Sequence, residues 1–306
     1  VQQIFGGGKN ADMKSGSDII IDCQTSSSWI EEIYAGAENA NVGCDVRLTI
    51  TSGKFGRVFG GNKFSGKLDG SITVNIEENP ACGIPVIIGE LYGGGNRAPY
   101  SVYGYDDEGN MITSGTTAKH ANPVVNVRGF TSIGNIFGGG FGEKAIMYGS
   151  PTLNINCVET NHTDKSNAEF QGNKYNGETK PIVDKDSLGN TASNYDVKLY
   201  PHEDGKMGVI GNVYGGGNAA KVVGDTYVNI GTKDTDVFHT PVKKTDTETG
   251  ADEEVPTTEA DRTHTVAGAD IRGNVYGGGN AADVTGKTNV VIGKQETSTT
   301  TDPTTP

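Results

Sequence analysis

The sequence predicts an all-β fold, a right-handed parallel β-solenoid of about seven rungs with hairpin-like insertions. Three observations lead there. An aliphatic–aromatic pair followed by glycines or small residues recurs seven times along the 306 residues. Each copy leads into a segment where apolar and polar residues alternate, the period of a strand. No stretch carries an apolar face at helical period. One such repeat cannot bury its own apolar face, but stacked repeats share a continuous core. The right-handed choice follows the general crossover rule for parallel strands.

The repeats follow in order. Ile4-Phe5-Gly6-Gly7-Gly8 leads to Ile19 and Ile21, and Ile33-Tyr34-Ala35-Gly36-Ala37 to Val46, Leu48 and Ile50. Val58-Phe59-Gly60-Gly61-Asn62 leads to Ile72, Val74 and Ile76. Leu91-Tyr92-Gly93-Gly94-Gly95-Asn96 leads, after an insertion, to Val125 and Val127. Ile136-Phe137-Gly138-Gly139-Gly140 leads to Leu153 and Ile155. The last two copies, Val213–Val222 and Val275–Val284, nearly coincide and lead to Thr226–Ile230 and Thr288–Ile292. The shortest spacing, from Ile33 to Val58, is 25 residues and sets the bare repeat. Glycine at a fixed place marks a corner that needs positive φ or a close approach of backbone to backbone.

The surplus lies in insertions expected at 97–122, 157–208 and 232–270 within one domain of residues 1–296, followed by a Thr/Pro-rich tail at 297–306. The two longer insertions leave adjacent repeats from the same corner, so they are expected on one side and in contact. Tyr103–Ile112, Ile182–Asn190 and Val242–Ala251 each read as two strands around a turn. The segment 232–270 holds ten acidic and four basic residues. A start within a repeat and a Thr/Pro-rich end read as a piece of a longer protein.

Glycine accounts for 46 residues, about twice the ordinary share, without the Gly-X-Y period of collagen. The formal net charge of −13 argues against a nucleic-acid or anionic-membrane surface. No apolar run is long enough to span a bilayer. Cys23, Cys44, Cys82 and Cys157 allow three pairings, and none forms a C-x-x-C pair. The plainest reading of them is buried thiols acting as small apolar residues.

The pattern V-Y-G-G-G-N-A-A-x-V-x-G-x-T-x-V-x-I, read at Val213–Ile230 and Val275–Ile292, resembles the glycine-rich repeats of large surface proteins of gut Bacteroidetes and related anaerobes. The resemblance covers the seven repeats, not the insertions. It implies a β-solenoid, export and surface display, and carries no catalytic residue. Lys9 and Glu38 stand where later repeats carry asparagine.

Two columns are candidate sites. The aromatics Phe5, Tyr34, Phe59, Tyr92, Phe137, Tyr214 and Tyr276 each follow an aliphatic residue and so face away from it. Exposed, they would offer flat surface for sugar rings, with Tyr92, Tyr214 and Tyr276 the candidate ligand contacts. Enclosed, they would be a structural ladder. Asn62, Asn96, Asn218 and Asn280 read as a structural ladder satisfying corner amides.

No metal site or cofactor is expected. Asp184, Asp186 and Gly189 match part of an EF-hand loop, but Leu188 and Tyr195 fall where ligands are needed. His120, His162, His202, His239 and His264 all lie in insertions and read as solvated loop residues. The glycine runs lack the lysine and helix of a phosphate loop.

The expectation is a non-enzymatic, extracellular surface module: a rigid spacer with an adhesive face for glycan or for a host or bacterial surface protein. Two alternatives stand beside it. A carbohydrate-active β-helix enzyme would need carboxylates and bases converging in a groove. A self-associating structural repeat would use unpaired strands at the terminal rungs.

Overall fold

The computed structural model describes residues 1–79, 82–158, 175–202, 208–232, 243–245, 252–254 and 266–293. Among these residues every regular element is a strand, and no helix occurs. Two long parallel sheets dominate. The first orders Gln3–Phe5, Trp29–Tyr34, Gly53–Phe59, Val86–Tyr92, Ser132–Phe137, Val209–Tyr214 and then Asp270–Ile271 with Val275–Tyr276. The second orders Ser17–Ile21, Val46–Ile50, Ile72–Glu77, Val124–Gly129, Thr152–Ile155, Thr226–Ile230 and Thr288–Ile292. Along the repeats the chain alternates between the two sheets. A third, short sheet of Tyr100–Ser101, Met147–Tyr148 and Val222–Val223 lies between them in sequence. Isolated parallel bridges Met13–Val42, Val42–Leu68 and Val222–Val284 continue that side.

Register places like on like. Ile4, Ile33, Val58, Leu91, Ile136, Val213 and Val275 form one column. These aliphatics pack with Leu48, Val74, Val125, Leu153 and Val228 of the second sheet in one core. The aromatic beside each aliphatic faces away from that core, and the rings form their own cluster. On the outside of the second sheet, Asn75, Asn126, Asn154 and Asn229 form an amide ladder in which each Nδ2 donates to the Oδ1 before it, at 2.9–3.0 Å.

The glycine runs serve close approach rather than unusual dihedrals. A Cβ on Gly138 would lie 2.2 Å from the Gly215 carbonyl oxygen, and one on Gly93 2.4 Å from that of Gly138. Positive φ falls after the run instead, at Arg97 (61°), Gly142 (82°), Ala219 (53°) and Ala281 (57°).

The insertions differ in part from expectation. Thr179–Lys185 and Thr191–Lys198 form the expected antiparallel hairpin. Lys243–Thr245 pairs antiparallel with Asp252–Glu254. Tyr103–Ile112 forms a capped turn, with Asp106 accepting from the Asn110 amide at 2.6 Å, but no strand pair beyond the single bridge Tyr105–Met111. The insertion expected at 97–122 departs later: Tyr100 and Ser101 pair with Met147 and Tyr148 and belong to the third sheet. The two long insertions do meet at their bases, where Cys157–Val158 pairs antiparallel with Val266–Gly268. The tail at 297–306 lies outside the described residues.

The cysteines correct the plainest reading. Cys23 and Cys82 form a disulfide, linking the end of the first repeat's second-sheet strand to the loop before the fourth repeat. Cys157 is a buried free thiol, and burial with the nearby Glu78 charge pushes it up to about 12. Cys44 is free and exposed.

Two substitutions test these corners. Gly138→Ala should cost about 3 kcal/mol in chemical denaturation, because the clash is with backbone. Ala219→Gly should raise stability by roughly 1 kcal/mol, because it relieves a left-handed alanine. Equal and small effects would show that the glycine runs carry no stacking constraint.

Candidate functional site: a charged cleft under the hairpin arm

One residue precedes the aliphatic–aromatic pair in every repeat. These are Gln3, Glu32, Arg57, Glu90, Asn135, Asn212 and Asn274. The first six stack in register on the outer face of the first sheet. The column was legible as a motif position, but the charges differ from repeat to repeat and so hid it.

The hairpin 179–198 covers this column. It can lie close because Gly56, Gly89, Gly134 and Gly211 form a glycine column beside it. A Cβ on Gly134 would lie 2.4 Å from Val197 Cγ1, and one on Gly211 3.3 Å from the Tyr200 ring.

Under the arm the charges are paired. Arg57, 1% exposed, binds Glu32 and, at 2.8 Å, Asp184 of the arm. Arg97 binds the other oxygen of Asp184, and Lys63 lies 3.2 Å from Glu32. Glu90 accepts from the hydroxyls of Tyr92 at 2.9 Å and Tyr195 at 2.7 Å. The Arg57 guanidinium also lies 5.5 Å from the Phe59 ring and 5.0 Å from the Phe141 ring.

Burial shapes the titration of the acidic members and the tyrosines. It would push Glu32 up, but the Arg57 and Lys63 charges outweigh it and hold the carboxyl below its ordinary value. Asp184 follows the same logic through Arg97 and Arg57. For Glu90 burial wins over its tyrosine and Arg57 partners, and the carboxyl is raised. Tyr92 and Tyr195 are raised by burial and by the Glu90 charge.

At the N-terminal side of the arm the network opens into a cleft of about 390 Å³. Gln2, Gln3, Glu31, Arg57, Lys180 and Lys185 contribute its polar lining, with Pro181, Ile182 and Val183 as its apolar wall. Lys180 bridges to Glu31 at 3.0 Å and lies 4.6 Å from the Trp29 ring.

The expected ligand contacts fare differently. All seven aromatic rings stack with centroids 4.7–5.0 Å apart and planes within 11°. Tyr92 is fully buried and offers no surface to a ligand; Tyr214 is half-buried, and Tyr276 is 44% exposed. Corner residues cover the column: Lys63 lies over Tyr34, and Phe141 packs edge-on to Tyr92.

The asparagines do not form one ladder. Counted from the aliphatic, Asn62 falls at the third-glycine position, and Lys63 matches Asn96. Asn62 accordingly turns inward: its Oδ1 accepts from the Ala37 amide at 2.8 Å. Asn96 donates to the Tyr34 hydroxyl at 3.0 Å and Asn218 to the Tyr92 hydroxyl at 3.2 Å, each two repeats back. Asn280 donates to Asn218 Oδ1 at 3.1 Å.

Other candidates stay apart. Asp184 is committed to the arginines, and Asp186 accepts from the Leu188 and Asn190 amides at 2.9 Å, so the EF-like loop gathers no ligand set. Among the described residues the one grouping with metal-ligand spacing is Asp22, Cys23 and Cys82, and both cysteines are in the disulfide. His120 pairs with Asp69 at 2.7 Å, and His202 is buried rather than solvated. His162, His239 and His264 lie outside the described residues. No family model, no curated protein and no solved structure matches the chain.

Arg57→Met should destabilise the protein by about 3 kcal/mol, because it removes the buried charge shared by Glu32 and Asp184 and leaves them only Lys63 and Arg97. The arm should also loosen in acid. Glu32 and Asp184 have lowered folded pKa values, so their contribution is complete above the ordinary carboxylate pKa of about 4 and fades as pH falls below it. Glu90 is raised and works in the opposite direction, one group against two. Limited proteolysis across pH should show the hairpin protected near neutrality and cut on acidification. Protection unchanged in acid, with the core still folded, would remove the ionic latch as its cause.

Proposed function

We propose that the chain is a right-handed parallel β-solenoid of seven rungs with hairpin-like arms, acting as a rigid display module of an exported surface protein. The alternation of successive strands between two parallel sheets supports the coil. The observation that carries the spacer reading is the unbroken stack of seven aromatic rings. The ring stack ties every repeat to the next through side chains as well as backbone, and the amide ladder Asn75–Asn126–Asn154–Asn229 adds to it over four repeats. The disulfide supports an oxidising, extracellular setting. Among the described residues no helix is long and apolar enough to cross a membrane.

The adhesive face is the cleft beside the arm, and its ligand is a glycan or a surface protein. Planar polar side chains beside an apolar wall suit a sugar, which presents hydroxyls at its edge and C–H groups on its face. A module repeated along a surface would gain avidity from such a site.

A second reading, a carbohydrate-active enzyme, draws on the convergence of Glu31, Glu32, Arg57 and Lys180 at the same cleft. Against it, Glu32 is already neutralised by Arg57 and Lys63, a poor state for an acid or base that must exchange protons.

One assay separates the two. The chain is incubated with host and microbial polysaccharides, and bound protein and released fragments are recorded together. Binding without fragments is expected, with Gln2→Ala/Glu31→Ala weakening it about tenfold, the equivalent of 1.4 kcal/mol. Fragments would establish the enzyme reading, and binding that ignores both substitutions would move the face elsewhere.

A further inference from the structure

The cleft beside the arm holds donors in want of an acceptor. Arg57 lines it and is 1% exposed, too buried to be hydrated by bulk water. Its Nη2 donates to Glu32 and Asp184, while its Nε and Nη1 find no hydrogen-bond partner among the described residues. Buried polar groups are ordinarily paired, and one left unpaired is costly, more so on a charged group. An oxyanion is the strongest acceptor that a guanidinium can be offered.

The lining carries the matching sign. Three cations, Arg57, Lys180 and Lys185, stand against two carboxylates, Glu31 and Glu32. Glu32 is already held by Arg57 and by Lys63 at 3.2 Å, and Glu31 by Lys180 at 3.0 Å. Lys185 is exposed and forms no ion pair among the described residues. The cleft is therefore cationic in a chain whose formal net charge is −13. The field of the whole molecule repels polyanions, so any attraction here is local.

The cationic side is set by the seating of the arm. Arg57 belongs to the strand Gly53–Phe59 of the third repeat, and both lysines to the arm strand Thr179–Lys185. That same strand supplies the apolar wall of Pro181, Ile182 and Val183. A ligand that fits both features has an apolar face and an oxyanion at its edge. An acidic sugar has this form, with C–H groups on its ring and a charged group beside its hydroxyls.

We propose that the cleft selects sugars that carry an oxyanion, a carboxylate or a sulfate, which Arg57 receives at its floor and Lys185 at its rim. Glu31 stays on Lys180 and accepts sugar hydroxyls. The inference rests on the cleft being the glycan-binding face, and it names the class of glycan.

Trp29 is the sole tryptophan, and its ring lies 4.6 Å from Lys180 Nζ, so its fluorescence reads the cleft. The chain is titrated with polygalacturonate and hyaluronate, each against its carboxyl-reduced form, and with dextran sulfate against dextran. In at least one pair the charged member should bind about tenfold more tightly, and the pair that responds tells carboxylate from sulfate. Arg57→Lys keeps a cation without the planar donors and should lose most of that preference. Lys185→Gln, on an exposed side chain, should weaken the charged probe about fivefold, leave neutral probes unchanged and keep the melting temperature. Equal binding within every pair, or capture of neutral polysaccharides alone, would overturn the selectivity and leave the cleft a glycan site. A charge preference untouched by Lys185→Gln would overturn its placement in the cleft. Poly-glutamate bound as tightly as the charged sugars would overturn it in favour of an acidic protein partner. No capture of any polysaccharide would remove the glycan reading itself, and the selectivity with it.

Discussion

The rest of the structure depends on one constraint, the in-register parallel hydrogen bonding of each repeat on the next. Parallel strands lie about 4.8 Å apart. The aromatic centroids, 4.7–5.0 Å apart, take up the same spacing, so backbone and ring stack share one step. At this distance an extra carbon between facing glycine corners has nowhere to go. The glycine runs are therefore a packing requirement set by the backbone, and the left-handed turn is delegated to the second residue after them.

In-register stacking also sets electrostatic rules. Each residue sits directly on its counterpart, so a column of like charges would repel itself at every step. The outer column of the first sheet alternates instead, Glu32, Arg57, Glu90, and is neutral elsewhere, with Gln3, Asn135 and Asn212. Alternation lets the charges be buried, and Glu32 alone leaves Arg57 with guanidinium donors to spare in the plane of the sheet. The arm completes the balance by bringing Asp184, and Arg97 from the neighbouring corner neutralises what Asp184 adds. The hairpin is thus held by ions at its tip side and by close contact over the glycine column along its length. The same seating leaves the cleft open where the arm ends, so the site and the latch are one piece of geometry.

The all-β class with parallel strands was legible because its signals are local. The aliphatic–aromatic pair, the alternating strand and the turn at Ser187–Asn190 all sit within short stretches of chain, where period and turn chemistry act directly. Asn62 was misplaced for the complementary reason: a motif read by residue type shifts by one position when an asparagine occupies a glycine site. The structural role of the aromatic column was visible as one of two options, and the choice rested on what covers it.

Sequence by itself determined the repeat, the alternation of its strands and the aliphatic–aromatic pairing, because each follows from residue spacing along one strand. Tertiary structure alone decided that Cys23 meets Cys82, that Tyr92 is enclosed, and that Arg57 shares Asp184 with Arg97 from 87 residues away. Those contacts join segments whose separation carries no periodic signal. The arginine pair on Asp184 exists because an inserted hairpin folds back onto a glycine column, and nothing in its own sequence names the surface on which it lands.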